Sequence, residues 1–198
     1  RLGRIEAAFS DLKRQGKKGF IPFITAGDPD LETTRELLIE LSGATVIELG
    51  VPFSDPMADG PVIQRASERA LKRGIGVGNV LEAVASVRRS IETPIILFSY
   101  FNPLLQFGLK RLAAEAKAAG VDGVLVTDLS PEEAGEFESE LRANDLDMIF
   151  LIAPTSTDER LQLIAQHARG FIYAVSRAGV TGVRTNVSAE AEKLVSRM

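Results

Sequence analysis

The sequence of 198 residues contains no cysteine, no tryptophan and a single histidine, His167. Without cysteine there is no disulfide framework, no thiolate nucleophile and no cysteine-ligated metal or iron–sulfur site. One histidine excludes a histidine-rich zinc site and makes any Ser-His-Asp triad depend on His167 alone. We therefore expect proton transfer to depend on aspartate and glutamate, with tyrosine and lysine as lesser candidates.

Excess positive charge and long apolar runs are also missing. Lys and Arg total 23 against 27 Asp and Glu, for a formal net charge of -4, which argues against a nucleic-acid-binding domain. No apolar run approaches the roughly 18 residues of a membrane helix, and no signal-peptide pattern opens the sequence. We therefore expect a globular cytoplasmic protein.

Apolar, β-branched segments alternate with helical patterns along the sequence. Segments that are apolar almost throughout are typical of strands covered on both faces, and helices between them predict a parallel sheet. Capping patterns mark two helix starts, one at Ser130 with Pro131 and one at Ser156 with Glu159. The predicted strands are 19–25, 45–50, 94–100, 123–128, 147–152 and 170–176, and the predicted helices lie near 31–41, 61–73, 77–90, 103–119, 131–143, 157–168 and 188–197.

Six βα units fit two α/β architectures, a doubly wound open sheet and a (β/α)8 barrel. The first strand is not followed by GxGxxG, so the main dinucleotide-binding fingerprint is absent. Glycine and polar residues collect after the carboxyl ends of the strands, where barrels of this type have their active sites. A closed barrel needs eight units, so the chain is either an open sheet or a barrel whose last two units are missing.

Glu48 is a carboxylate inside an otherwise apolar strand, 45–50. Side chains alternate faces along a strand, so Glu48 shares one side with Val46. Burial of an unpaired carboxylate is costly and raises its pKa, which would suit Glu48 to act as a general acid or base near neutral pH. The alternative is a glutamate that is ion-paired to a neighbouring element.

Asp55 and Asp59 lie in the polar segment that follows this strand. Asp-Pro and Asp-Gly pairs form turns, and Asp59 could cap the next helix, so each residue alone favours a structural interpretation. The proximity of Glu48 favours a shared site, because two carboxylates in different surroundings can hold different protonation states.

Other polar residues at the strand ends have ordinary structural interpretations. Asp28, Asn102 and Asp128 are predicted to form turns or caps, and His167 is predicted to be a surface cation near a helix end. The segment 176–182 has two glycines that would let backbone amides approach an anion, so it could be a phosphate cradle, a mobile lid or a plain loop.

The run IELGVPFSDPMADGP at 47–61 closely resembles the signature of the tryptophan synthase alpha subunit family. Further segments resemble that family in the same order along the chain. They are PFITAGDP at 22–29, Asn102-Pro103, GVDGV at 120–124, APTS at 153–156 and SRAGVTG at 176–182.

This resemblance implies a single (β/α)8 barrel domain over 1–198, with an extra helix near 4–15 and with units seven and eight absent. It implies retro-aldol cleavage of indole-3-glycerol phosphate to indole and glyceraldehyde 3-phosphate. Glu48 matches the family's catalytic glutamate, which shuttles the protons, and Asp59 matches the catalytic aspartate, which accepts the indole N–H. The resemblance implies no cofactor and no metal in this subunit, and pyridoxal phosphate is expected in the beta-subunit partner of an alpha2-beta2 complex.

The resemblance also implies the remaining contacts of the site. Asp55 and Asn102 match the surface that docks the beta subunit, and Thr127 stands where the family often has a smaller residue. Two alternatives stay open, a non-catalytic module that activates a partner and another phosphate-binding barrel lyase. The implied substrate-binding residues are Phe23, Tyr100, Leu125, Thr127, Leu151, Tyr173, Thr181 and Gly182.

Overall fold

A computed structural model of the chain describes residues 2–176 and 189–198. Strands and helices alternate as the sequence predicts, and the strands are shorter than the apolar segments that contain them. The strands are β1 (Phe23–Thr25), β2 (Ile47–Gly50), β3 (Ile95–Ser99), β4 (Gly123–Val126), β5 (Asp147–Ile152) and β6 (Ile172–Ala174). The helices are α1 (Arg4–Gln15), α2 (Leu31–Glu40), α3 (Pro61–Lys72), α4 (Val77–Val87), α5 (Phe101–Phe107), α6 (Leu109–Ala119), α7 (Gly135–Ala143), α8 (Asp158–His167) and α9 (Ala189–Ser196).

The six strands form one parallel sheet in the order β1-β2-β3-β4-β5-β6. A doubly wound sheet reverses its strand order at a switch point, whereas strands that follow one another in chain order are the pattern of a (β/α)8 barrel. The sequential order therefore resolves the alternative that the sequence left open, in favour of six consecutive units of a barrel.

The outer face of the sheet is covered by helices. Its buried side chains alternate along the strands, as in Ile47 and Leu49 of β2 or Ile95 and Leu97 of β3, and they join one large cluster with the apolar faces of the helices. This two-sided burial explains why the strands read as continuous apolar segments.

The inner face of the sheet has a separate and smaller apolar cluster, which includes Val46, Ile96 and Leu125. Ile5 and Phe9 of α1 pack against this cluster, and Phe9 stacks on Phe171 with ring centroids 5.2 Å apart. The extra helix implied by the resemblance is therefore present, and it covers the amino-terminal end of the inner face.

A network of charged side chains closes the same end of the sheet. Asp122 accepts hydrogen bonds from Arg4 at 3.1 Å, from Arg88 at 3.4 Å and from the backbone N–H of Ile95 at 2.9 Å. Arg88 also donates to the backbone carbonyls of Ile91 and Thr93. These bonds connect α1, α4 and the starts of β3 and β4.

The single helix predicted at 103–119 is wrong, because the segment forms two helices that meet at Gly108. Gly108 has φ 97° and ψ 119°, a conformation that is strained for residues with a side chain. Its carbonyl accepts the N–H of Leu112 and so begins α6. Apolar residues continue across the break, which is why the periodicity does not reveal it.

The predicted starts of two later helices are also displaced. The segment 131–134 forms a turn in which Ala134 donates to the carbonyl of Pro131, so α7 begins at Gly135 and not at Pro131. The cap of α8 is Thr157, whose hydroxyl accepts the N–H of Arg160, whereas Ser156 accepts the N–H of Ala153. Capping residues occur in turns as well as at helix starts, which explains both errors.

Candidate active site

Glu48 is buried on the inner face of the sheet, with 4% of the residue exposed. It lies in β2 on the same side as Val46, and its Cα pairs with Phe23 of β1 and Ile96 of β3. Its Oε1 has no hydrogen-bond partner among the described residues. Those residues therefore offer no support for the alternative of an ion-paired glutamate.

The surroundings of Glu48 favour its protonated form. Desolvation by burial raises the pKa of this carboxyl from 4.5 to about 7. Burial raises the pKa of the Tyr173 phenol on the same face of the sheet, and the charge of Glu48 raises it further. A carboxyl group with a pKa near neutral can both donate and accept a proton at physiological pH.

Asp59 lies in the loop between β2 and α3, half-buried at the carboxyl end of the sheet. Gly60 is the N-cap of α3, and no side chain caps this helix, so the predicted capping role of Asp59 is wrong. Burial raises the pKa of Asp59, and an interaction with the Tyr100 hydroxyl lowers it.

Several predicted site residues meet at one crevice between the ends of β1, β2 and β3. Phe23, Asp59 and Tyr100 line it together with Gly50 and Phe98. A side chain at position 50 would meet the Phe23 ring at 2.6 Å, so glycine allows this ring to lie directly against β2. Glu48 pairs with Phe23 in the sheet and lies two residues before Gly50, and both of these residues line the crevice.

The other predicted pocket residues lie further round the inner face. Leu125 is fully buried there, and Leu151 and Tyr173 pack against the same cluster. Thr127 and Leu151 also line a cavity of about 430 Å³ between the ends of β4 and β5. Thr181 and Gly182 lie outside the described residues, as does most of the segment 176–182.

Phe98 is a site residue that the sequence analysis missed. Its ring makes edge-to-face contacts with Phe23 at 5.3 Å and with Tyr173 at 6.2 Å. Phe98 thus connects the rings of Phe23 and Tyr173 on the inner face of the sheet. The available signal was its position two residues before Tyr100, on the same face of a predicted strand.

The residues predicted to dock a partner, Asp55 and Asn102, are both exposed at the carboxyl end of the sheet. Met57, in the same loop as Asp55, is 86% exposed. Asn102 lies inside α5, so its predicted role in a turn or cap is wrong.

Three further structural predictions concern Asp28, Asp128 and His167. Asp28 lies in a turn, as predicted, since its N–H donates to the carbonyl of Thr25 at 3.4 Å; its carboxylate accepts two hydrogen bonds from Arg69, and the cap of α2 is Asp30. Asp128, in the turn after β4, accepts the N–H of Phe101 at 2.7 Å and so caps α5. His167 is exposed at the end of α8, as predicted, and contacts Glu138 at 3.0 Å.

Within residues 2–176 and 189–198, no group of three or more His, Asp or Glu side chains could hold a metal ion. No helix in this described part of the chain has the length and apolar character needed to cross a membrane.

Comparison with known proteins agrees with this fold. A family model described as "Tryptophan synthase alpha chain" matches residues 9–198. The tryptophan synthase alpha chain of Geotalea daltonii is 52% identical over 100% of this chain and 77% of that protein. A tryptophan synthase structure from Mycobacterium tuberculosis has a TM-score of 0.90 and 37% identity, covering 100% of this chain and 76% of the other. A structure of the tryptophan synthase alpha2-beta2 complex of Pyrococcus furiosus has a TM-score of 0.83 and 42% identity, covering 90% and 72%. This chain belongs to the tryptophan synthase alpha chain family.

Proposed function

We propose that Glu48 and Asp59 are the catalytic residues of this enzyme. The family to which the chain belongs consists of carbon–carbon lyases of tryptophan biosynthesis. They cleave indole-3-glycerol phosphate to indole and glyceraldehyde 3-phosphate. The observation that carries the proposal is the burial of Glu48, without a partner for Oε1 in the described structure, beside the crevice that Asp59 lines.

Glu48 supplies the proton transfers of this reaction. In its acid form it protonates C3 of the indole ring, and the resulting carboxylate then accepts the proton of the hydroxyl group on the adjacent carbon. The bond between C3 and that carbon breaks, its electrons restore the indole ring, and an aldehyde is released. Glu48 ends as the acid, ready for another cycle. A pKa of about 7 allows both transfers at neutral pH.

Asp59 stabilises the charge that develops during the first transfer. Protonation of C3 places positive charge on the ring nitrogen, and a carboxylate that accepts a hydrogen bond from this N–H is most favourable in that state. The indole ring would lie against Phe23, Phe98 and Tyr173, whose faces and edges form an apolar wall. Leu125, Thr127 and Leu151 would complete the pocket around the ring and the glycerol group.

The partner proposed for this chain is a tryptophan synthase beta subunit. The related chain from Pyrococcus furiosus is part of an alpha2-beta2 complex. Asp55 and Asn102 are exposed at the same end of the sheet as the site, where a partner could receive indole directly. Pyridoxal phosphate belongs to that beta subunit in this family. We also propose a cytoplasmic location, because the substrate is a phosphate monoester that does not cross membranes unaided.

Indole formation from indole-3-glycerol phosphate tests the catalytic proposal. Glu48→Gln keeps the size of the side chain and removes its proton chemistry, so we expect kcat of the full-length enzyme to fall about 1000-fold. Asp59→Asn should lower kcat by about 100-fold, the effect expected when one transition-state contact is lost.

Glu36→Gln, on the exposed face of α2, is the matched control and should have wild-type activity. The assay is run with and without beta subunit, so that a non-catalytic module would show no indole formation in either case. Wild-type turnover by Glu48→Gln would refute the assignment of Glu48.

A further inference from the structure

Tyr100 connects the end of β3 to the loop that carries Asp59. It is 7% exposed and follows the last residue of β3 directly. Its hydroxyl oxygen accepts a hydrogen bond from the backbone N–H of Ala58 at 3.0 Å. Because Ala58 immediately precedes Asp59, this bond restrains the backbone that carries the catalytic carboxylate.

The other hydrogen bonds of this loop are local. The N–H of Asp59 donates to the carbonyl of Pro56 at 3.0 Å, and the N–H of Met57 donates to Asp55 at 2.8 Å. The carbonyl of Asp59 accepts the side-chain amide of Gln64, in α3, at 2.8 Å. These bonds shape the loop and join it to its own helix, whereas the bond to Tyr100 fixes it to a neighbouring strand.

The hydroxyl proton of Tyr100 is available to Asp59. Since the hydroxyl oxygen accepts the Ala58 N–H, its own hydrogen can be donated elsewhere, and the Asp59 carboxylate lies beside it. This interaction lowers the pKa of Asp59, against the effect of burial. Burial is the largest cause that raises the pKa of Tyr100 to about 12, and the charge of Asp59 adds to it, so the phenol remains a neutral donor.

We propose that Tyr100 is a positioning residue, which holds the Asp59 loop through the Ala58 amide and directs the Asp59 carboxylate toward the indole N–H. This inference rests on the proposed role of Asp59. It gives the hydroxyl of Tyr100 a function that is distinct from lining the substrate pocket. The phenol acts on the reaction through Asp59 and makes no bond to the substrate.

Tyr100→Phe isolates the hydroxyl. The ring of Tyr100 packs against Phe53 with centroids 5.0 Å apart, and phenylalanine keeps this contact, so the variant should fold. The Asp59 contact is strongest when charge develops on the indole, so misplacement of Asp59 should lower kcat with little change in KM. We expect a fall of about tenfold in kcat, the size of one charge-assisted hydrogen bond.

A double-mutant cycle in the full-length enzyme tests whether Tyr100 acts through Asp59. In an Asp59→Asn background, Tyr100→Phe should lower kcat by less than about twofold, because the carboxylate that it positions is gone. Tyr173→Phe is the matched control, since it removes the only other phenol of the chain, which faces Glu48. The fold reductions in kcat caused by Tyr173→Phe and by Asp59→Asn should multiply in the double variant.

The pH profile supplies a second readout. Asp59 must be ionised to accept the N–H, and loss of the Tyr100 donor raises its pKa, so the acidic limb of kcat/KM should move to higher pH in Tyr100→Phe.

Equal effects of Tyr100→Phe in both backgrounds, or an unmoved acidic limb, would overturn the proposal for Tyr100. A fully active Asp59→Asn enzyme would instead refute the role of Asp59 itself.

Discussion

Two buried carboxyl groups of the sheet have very different surroundings. At the amino-terminal end, Asp122 has a side chain that is 8% exposed, and it pairs with Arg4, Arg88 and the N–H of Ile95. On the inner face, within β2, Glu48 is 4% exposed and its Oε1 has no partner among the described residues.

This difference separates a carboxylate that connects elements of the fold from a carboxyl group that is suited to proton transfer. Asp122 accepts hydrogen bonds from two guanidinium groups and a backbone amide, so it connects elements of the fold. Glu48 has been desolvated without compensation, which costs stability and raises its pKa to about 7. Enzymes often contain such destabilising buried groups where proton transfer requires a shifted pKa.

Removal of Asp122 should have the largest effect on stability. Asp122→Ala leaves Arg4 and Arg88 without their shared partner, so we expect the free energy of unfolding to fall by about 4 kcal/mol, as for other broken buried ion pairs. Urea unfolding followed by circular dichroism measures this change. Asp11→Ala, which removes a well-exposed pair with Arg14, is the control and should change little. A similarly small effect at Asp122 would show that its network is unimportant.

The pH dependence of stability should show the cost of Glu48. The folded chain keeps the proton of Glu48 up to a pKa of about 7, whereas the unfolded chain loses it near 4.5. The folded state therefore binds more protons between these values, and stability falls as the pH rises through this range. Relative to Glu48→Gln, the wild-type enzyme should lose about 2.5 kcal/mol between pH 5 and pH 8. Parallel stability curves for the two proteins would contradict this prediction.

The smallest of these effects concerns one partner of Asp122. Arg4 is partly exposed, and its loss leaves Asp122 bound to Arg88 and to the N–H of Ile95. Arg4→Gln should therefore cost about 1 kcal/mol in the same urea experiment. A cost as large as that of Asp122→Ala would mean that Arg4 provides most of the stabilisation at this end of the sheet.

The sequence predicts much of the fold and the key carboxylate because these features depend on local pattern. Apolar segments separated by helices predict parallel strands, and alternation along β2 predicts that Glu48 is a buried carboxylate on the same side as Val46. The family resemblance added the barrel and the assignment of Asp59. All of these signals lie within a few residues of the feature that they predict.

Features that depend on distant residues could not be predicted in the same way. The Tyr100 hydroxyl and the Ala58 amide are 42 residues apart, and Arg4 and Asp122 are 118 residues apart. Nothing in either local segment indicates its partner. The break between α5 and α6 was missed for a different reason, because the apolar pattern continues across Gly108, whose φ of 97° interrupts the helix.

The pKa of Glu48 itself tests the central claim most directly. Isotope-edited infrared or carbon NMR titration of labelled glutamate in the full-length enzyme, with Glu48→Gln to assign the signal, would report it without any assay of turnover. Burial without a partner predicts that this carboxyl titrates at about 7. A titration near 4.5, the ordinary value for glutamate, would show that Glu48 is solvated or paired and would contradict the account of how this site achieves proton transfer.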